Sequence, residues 1–136
     1  MAWRVAESLK VLRDQINQIA PKRSKASDGT IGDTAHASTN SDHNPHVMDG
    51  NIGVVTALDI THDSNDGCDA QKIVDALVQS KDKRIKYIIW NKKIISSSVQ
   101  PWIWRDYNGK NPHTKHFHLS VLPSKALYDN ISSWLI

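Results

Sequence analysis

The sequence predicts a single α+β domain in which helices flank a small, largely antiparallel sheet. Three observations support this prediction. A chain of 136 residues has the size of one ordinary domain, so we treat residues 1–136 as one unit. Hydrophobic residues make up 39% and charged residues 23% of the chain, which is typical of a folded globular protein. Periodic segments follow in the order helix, long loop, strand, helix, hairpin, strand, helix.

Three segments have features of helices. In residues 3–20 apolar side chains recur at intervals of three and four, and Pro21 ends the segment. Residues 68–80 have the same periodicity. Pro123 opens the last predicted helix. The apolar residues of that helix are Leu127, Ile131 and Trp134.

Four segments have the composition of strands. Residues 54–60 are apolar or β-branched, which predicts a buried strand with Asp59 at its C-terminal end. Residues 85–90 and 93–97 are separated by a two-residue turn and predict a hairpin. Residues 116–122 form the last predicted strand.

The segment between the first helix and the first strand is the longest predicted loop. Residues 21–53 are rich in small polar residues and contain few apolar ones. A loop of this length in a compact domain is usually functional. Further along, Trp102 and Trp104 are two residues apart, so we interpret them as strand residues that cover the core.

Charge and cysteine content limit the classes of partner and site. The net charge of +3 favours a polyanionic partner such as a cell-wall polymer or nucleic acid. The basic residues form no concentrated track, so we expect no nucleic-acid partner. Cys68 is the only cysteine, so histidines and carboxylates would have to hold any metal ion.

Three histidines near the C-terminus carry the strongest functional signal. His113, His116 and His118 lie within six residues. Side chains alternate along a strand, so His116 and His118 point to one face while Phe117 points to the core. Two imidazoles on one face suit zinc, and a catalytic zinc ion needs a third protein ligand from elsewhere.

Two upstream segments complete a recognisable pattern. Ser41-Asp42-His43, Ala57-Leu58-Asp59 and His116-Phe117-His118 match parts of SxHxxGxAxD followed by HxH. With this pattern the chain resembles the zinc D-alanyl-D-alanine carboxypeptidases and L-alanyl-D-glutamate endopeptidases of bacterial cell walls and phage endolysins. The wider group includes the penicillin-insensitive murein endopeptidases, and the match spans most of the chain.

The resemblance implies a role for five residues. His43, Asp59 and His118 correspond to the zinc ligands. His116 corresponds to the histidine beside the metal-bound water, where it can accept a proton or stabilise an oxyanion. His113 matches the spacing in the penicillin-insensitive enzymes, which makes it an auxiliary catalytic group that assists or donates to the leaving amine.

The chain departs from the family pattern in two places. Fifteen residues separate His43 from Asp59, where the family usually has six, and this insertion leaves His46 or Asp49 open as a replacement ligand. Some members use a carboxylate three residues before the HxH pair as a base, and His113 occupies that position here.

Four more polar residues are candidates for a supporting role. Ser41 and Asp42 either orient His43 by a hydrogen bond to its free ring nitrogen or cap the loop. Arg23 and Asp33 lie where the long loop can face the site, and a cation there would suit the carboxylates of a wall peptide. The alternative for these two is a solvated loop position.

Together these residues predict a zinc-dependent peptidase acting on bacterial peptidoglycan, most similar to a phage endolysin. The alternative is a catalytically silent zinc domain that binds wall peptides, which would not require His113 and His116. A metal-dependent nuclease is a third hypothesis, and the absence of a basic track disfavours it. The sequence does not indicate which peptide bond is cut, nor whether the enzyme is an endopeptidase or a carboxypeptidase.

The N-terminal residues lack the apolar run of a secretory signal, and no segment approaches the ~20 apolar residues of a membrane span. We therefore expect synthesis in the cytoplasm, no membrane insertion, and action on the cell wall after release from a phage-infected host. We expect a monomer.

Overall fold

The computed structural model describes residues 2–30 and 41–136 of the chain. In these two ranges, two sheets and three α-helices form the predicted α+β fold. The elements in chain order are β1 (Trp3–Val5), α1 (Glu7–Ile19), β2 (Val47–Asp49), β3 (Ile52–Val55), β4 (Ala57–Thr61), α2 (Ala70–Ser80), β5 (Ile85–Trp90), β6 (Lys93–Ser96), β7 (Arg105–Asp106), β8 (His116–Val121) and α3 (Lys125–Tyr128).

The two sheets differ in size and direction. The larger sheet has the order β4-β8-β5-β6-β7, and all its neighbouring strands are antiparallel. The smaller sheet has the order β1-β3-β2, with β1 parallel and β2 antiparallel to β3. The predicted hairpin is confirmed as β5 and β6. Its turn residues Asn91 and Lys92 have φ of 51° and 68°, the positive values that a type I′ turn requires.

Alternation along β8 separates the core from the site. Phe117, Leu119 and Val121 are buried in the hydrophobic core, while His116 and His118 point to the other face. Helix α2 packs against β5 and β8, and α1 packs against β4. Full burial of a valine, leucine, isoleucine or phenylalanine side chain contributes about 1.5–3 kcal/mol to the free energy of folding. Helix residues in the same core include Leu9, Leu12, Ile16, Ile73, Val74 and Leu77.

The first helix begins later than its periodicity predicts. Residues 3–5 form β1 instead, because they pair with β3, and the Ala6 N–H continues this pairing by donating to the Val55 carbonyl at 3.0 Å. The helix then starts at Glu7, whose negative charge is favourable near a helix N-terminus. Val5 fits the helical stripe, yet its strand partner determines its conformation.

The other two helices are also shorter than predicted. Helix α2 starts at Ala70, because the Asp69 carboxylate accepts hydrogen bonds from two backbone N–H groups of its first turn. Helix α3 ends at Tyr128. Beyond it, Ile131 is 70% exposed, whereas Trp134 is buried and donates its Nε1–H to the Ser8 carbonyl at 2.9 Å. No helix in the described ranges has both the length and the apolar character needed to cross a bilayer.

The predicted strand over residues 54–60 is two strands in different sheets. Thr56 separates them, since its N–H donates to the Asp42 carbonyl at 3.2 Å and its carbonyl accepts from Val121 at 2.9 Å. Asp59 therefore lies in the middle of β4 and not at a strand end. The predicted long loop also contains β2 and the start of β3.

The two tryptophans before β7 do not form a strand. Trp102 has φ of 60° and lies in a turn, and Trp104 directly precedes β7. Both side chains are half-buried and pack against the core, so the predicted burial is confirmed although the predicted conformation is wrong.

Candidate metal centre

Two strands and one loop bring the predicted ligands together. Asp59 on β4 and His118 on β8 are direct partners in the antiparallel register. His43 lies in the loop that precedes β2. One ligand atom from each of these three residues lies within 4.8 Å of the others. The described residues therefore include a group that can hold a metal ion.

Each facing pair of side chains in this group has donor atoms separated by about the distance that a tetrahedral metal site needs. His43 Nε2 is 3.2 Å from Asp59 Oδ2, and His118 Nδ1 is 3.2 Å from Asp59 Oδ1. The two imidazole nitrogens are 3.1 Å apart. Metal–ligand bonds of about 2.0–2.1 Å in a tetrahedron place neighbouring ligand atoms about 3.3 Å apart. The group is thus close to the geometry that an ion would need.

Hydrogen bonds direct the lone pairs of both imidazoles toward the same point. His43 Nδ1 is 2.6 Å from the Thr30 carbonyl, which only accepts, so Nδ1 carries the proton and neutral His43 has its lone pair on Nε2. His118 Nε2 is 2.8 Å from Ser120 Oγ, and donation there leaves the lone pair on Nδ1. The lone pairs of the two imidazoles then face the Asp59 carboxylate and repel it. A metal ion or a proton between these groups must offset the repulsion.

Electrostatics favour the ligand forms of Asp59 and His118. Burial raises the pKa of Asp59, but hydrogen bonds from His118 and His43, which form when a proton occupies their facing nitrogens in the absence of a metal ion, outweigh this and hold it well below its usual range. Burial lowers the pKa of His118. Burial also lowers the pKa of His43, yet the hydrogen bond and charge of Asp59 raise it overall. At neutral pH the carboxylate is ionised and His118 is neutral, as metal binding requires.

Tyr87 fixes the plane of the His118 ring. The two rings are stacked, with centroids 5.2 Å apart and planes 7° apart. Burial raises the pKa of Tyr87 to about 12, so the ring stays neutral across the physiological range. Tyr87 thus fixes the orientation of the His118 ring, and the contact of Ser120 with Nε2 fixes its tautomer.

Ser41 and Asp42 support the loop that carries His43. Ser41 Oγ accepts the His43 backbone N–H at 3.2 Å, which is the loop-capping alternative. The Asp42 carboxylate accepts from Lys86 Nζ at 2.9 Å. The ring contact predicted for these residues is made by the Thr30 carbonyl. Any residue type offers a backbone carbonyl, so the sequence contains no signal for this contact.

His116 lies beside this group with unused nitrogens. Its Nε2 is 3.6 Å from Asp59 Oδ2. Both ring nitrogens are buried and have no hydrogen-bond partner among residues 2–30 and 41–136. A buried polar group without a partner costs about 1–3 kcal/mol, which favours a functional role over a structural one.

His113 is held in a strained conformation by Asn111. Its φ of 55° lies in the left-handed region, which is unfavourable for a residue with a side chain. Asn111 accepts the His113 backbone N–H at Oδ1 and the Nδ1–H at its carbonyl, at 2.9 and 2.7 Å. Nε2 is therefore the lone-pair nitrogen. Burial, with smaller effects of His118 and His116, lowers the pKa of His113 to about 4.

Arg23 does not face the site. Its side chain has no solvent exposure and pairs with the Asp28 carboxylate at 2.7 Å, while its Nε–H donates to Asn17 Oδ1 at 2.8 Å. This cation stabilises the segment after α1, so the prediction that it faces a bound peptide is wrong. Asp33, the other predicted loop residue, lies outside the described residues.

The inserted segment contributes no ligand to either His/Asp group found in the described ranges. Asp49 lies in β2 and pairs with Arg4 at 2.8 Å and with Lys125 at 2.7 Å. His46 is exposed in the loop before that strand. His43 is the residue of this region that reaches Asp59 and His118.

A cleft of about 310 Å³ opens beside His116. Lys115 is the charged residue of its lining, and the other lining residues are neutral or imidazole. Sequence analysis assigned no role to Lys115 or Asn111, because neither residue belongs to a motif. The lining residues are Ser27, Asn111, Pro112, Thr114, Lys115 and His116.

No family model, curated protein or solved structure matches the chain. A function has to be inferred from the site itself.

Proposed function

We propose that the protein is a zinc-dependent peptidoglycan peptidase that hydrolyses amide bonds in cell-wall stem peptides or cross-links, as phage endolysins of this kind do. The observation that supports it best is the position of His116. An imidazole whose buried nitrogens have no partner in the described ranges lies 3.6 Å from a carboxylate that could hold a metal ion together with two other histidines. A purely structural metal site has no need of it.

The donor set favours zinc among the common metals. His43, Asp59 and His118 supply two imidazole nitrogens and one carboxylate, a combination that suits zinc and leaves a coordination position open. When bound, zinc supplies Lewis acidity toward a carbonyl oxygen and lowers the pKa of water.

His116 is the proposed general base. In its neutral form one ring nitrogen has a free lone pair, and burial keeps bulk water from competing for it. His113 presents Nε2 as an acceptor, because its Nδ1–H is donated to Asn111. In this tautomer His113 orients a donor group and does not itself donate to a leaving amine.

The cleft beside His116 is the proposed peptide-binding site. It adjoins the base, so a bound peptide would lie next to the metal ligands. Lys115 provides a cation in the lining, which suits the free carboxylates of stem peptides. The neutral lining residues supply hydrogen-bonding groups for an amide backbone.

Digestion of purified sacculi with and without a chelator, analysed by mass spectrometry, tests the proposal. We expect wall fragments that disappear with chelator and return with zinc, and their masses identify the bond. His116→Ala should keep its zinc and lose turnover by about 100-fold or more. Zinc binding without any wall product would favour the silent domain, and an absence of zinc binding would refute the site.

A further inference from the structure

We infer that the centre binds a second, weaker zinc ion through Asp59, His113 and His116, and that this ion inhibits the enzyme. The inhibitory effect rests on the proposed function, whereas the binding itself does not. The second group shares Asp59 with the first, and one ligand atom from each member lies within 4.8 Å of the others.

The lone pairs needed for a second ion are present. Asn111 occupies His113 Nδ1 and so leaves Nε2 available. Neither nitrogen of His116 has a hydrogen-bond partner in the described part of the chain, so one is available in either neutral tautomer. His113 and His116 are T-shaped neighbours with ring centroids 4.9 Å apart. Two imidazoles and a carboxylate are again a donor set that suits zinc.

The distances indicate that the second site is the weaker one. The first group has donor separations of 3.1 and 3.2 Å, whereas Asp59 Oδ2 and His116 Nε2 of the second group are 3.6 Å apart. Tetrahedral zinc needs about 3.3 Å between donor atoms, so this pair of the second group must move closer by about 0.3 Å. Asn111 holds His113 by two hydrogen bonds and opposes this movement.

Asp59 can serve both ions because each of its oxygens faces a histidine of the first group, and one of them also faces a histidine of the second. Oδ1 faces His118, while Oδ2 faces His43 and His116. A shared carboxylate is compatible with ions about 3.5–4 Å apart, as in two-metal sites. Repulsion between the ions further weakens binding of the second.

Occupancy of the second site removes the proposed base. The lone pair of His116 that would accept a proton is then bound to zinc. Hydrolysis should therefore rise with the first equivalent of zinc and fall as the second one binds. At saturation we expect a loss of about 100-fold or more, the usual contribution of a general base.

Zinc binding to the metal-free full chain, measured by equilibrium dialysis and calorimetry, tests the second site without any activity assay. We expect one tight and one weaker zinc ion in the wild-type protein. His113→Ala should retain the tight ion, which also shows that it is folded, and lose the weaker one. His46→Ala, an exposed histidine in neither group, is the matched control and should bind both. A single zinc ion in the wild type, or two in His113→Ala, overturns the inference.

A zinc titration of sacculus digestion completes the test. If two ions bind and no wall product forms at any zinc concentration, the proposed function fails while the second site stands. If products form and one ion binds, the second site fails while the function stands. If the rate is unchanged as the second ion binds, the inhibitory role is refuted.

Discussion

At the residue scale, each imidazole of the centre is held at the nitrogen that faces away from the donor cluster. Thr30 holds His43, Ser120 holds His118, and Asn111 holds His113. His116 is the exception, since neither of its nitrogens has a partner in the described ranges. The ligands are thus fixed before metal binding, and the proposed base keeps a free lone pair.

Ser120→Ala tests the importance of this orientation. Loss of the hydroxyl removes the acceptor for His118 Nε2–H, so the ring can rotate and change tautomer. We expect zinc affinity to fall about 10- to 100-fold, measured by competition with a chromophoric chelator. Ser133→Ala, at an exposed position of the C-terminal segment, should leave the affinity unchanged. Equal affinities for both variants would show that Ser120 has no orienting role.

Lys115→Gln tests the assignment of the cleft. Lys115 lines the cleft beside His116 and belongs to neither candidate metal group. The variant should raise KM for wall peptides about three- to fivefold and leave kcat unchanged, because an exposed charge such as that of Lys115 contributes up to about 1 kcal/mol. Lys83→Gln, an exposed lysine outside the cleft, is the control. The contrary outcome is a lower kcat with unchanged KM, which would place Lys115 in the chemical step.

The residues of the group that could hold a metal ion were predictable from the sequence, whereas the contacts that support them were not. His43, Asp59 and His118 belong to residue types with specific metal chemistry, and the register of β4 and β8 brings two of them together. Thr30 accepts the His43 Nδ1–H with its backbone carbonyl. Asn111 likewise accepts the His113 Nδ1–H with its backbone carbonyl, and it uses its side chain only for the His113 backbone N–H. Backbone contacts of this kind depend on the folded path of the chain and have no signature in residue type.

At the element scale, an ion pair fastens the loop that carries His43 to the larger sheet. Lys86 on β5 binds the Asp42 carboxylate at 2.9 Å, and the Asp42 carbonyl accepts from Thr56 between β3 and β4. The loop is thereby attached at two points next to His43, its candidate ligand.

Lys86→Met should reduce metal affinity more than it reduces stability. We expect about a tenfold weaker zinc complex, because His43 loses part of its support, and a change in unfolding free energy below about 1 kcal/mol. Lys93→Met is the matched control. Lys93 lies in the same sheet and pairs with Asp106 at 2.8 Å, and this ion pair is far more exposed to solvent than the pair of Lys86 and Asp42. The hypothesis fails if both variants bind zinc as tightly as the wild type.

Local patterns predicted the elements whose determinants are local. The helical periodicity of α1 and α2 and the two-residue turn of the β5–β6 hairpin depend on neighbouring residues. In contrast, β1 exists because β3 lies beside it, and the break at Thr56 exists because Asp42 and Val121 bond to its backbone. Partners distant in sequence decide these features, so a window of a few residues does not contain them.

At the scale of the whole molecule, a cluster of charges joins the N-terminal strand, β2 and the last helix. Arg4 pairs with Asp49 at 2.8 Å and with Asp129 at 2.7 Å, and Lys125 pairs with both carboxylates. Burial raises the pKa of Asp129, but hydrogen bonds from Arg4 and Lys125 outweigh this and hold it well below its usual range. The cluster connects residues that are far apart in the sequence.

This depressed pKa predicts loss of stability in acid. The stabilisation by Asp129 is complete above its unfolded pKa of about 4 and is lost as pH falls through that value toward the lower folded pKa. Asp129→Asn should cost about 1–2 kcal/mol at pH 7 and flatten the decline in unfolding free energy below pH 4, measured by urea titration. Asp106→Asn, at a pair far more exposed to solvent, should change the pH profile much less. If the unfolding free energy of Asp129→Asn falls as steeply below pH 4 as that of the wild type, groups other than Asp129 cause the acid sensitivity.

The alternation of β8 has a consequence for how this centre tolerates insertions and deletions. Because core and site side chains alternate along one strand, a deletion of one residue would turn Phe117 and Leu119 toward the cleft and the imidazoles toward the core. The same change that dismantles the centre thus removes the apolar contacts that hold the sheet to its helices. A one-residue deletion in β8 should therefore not leave a folded molecule with a shifted centre, and we expect changes of length to be tolerated only in the loops around β8.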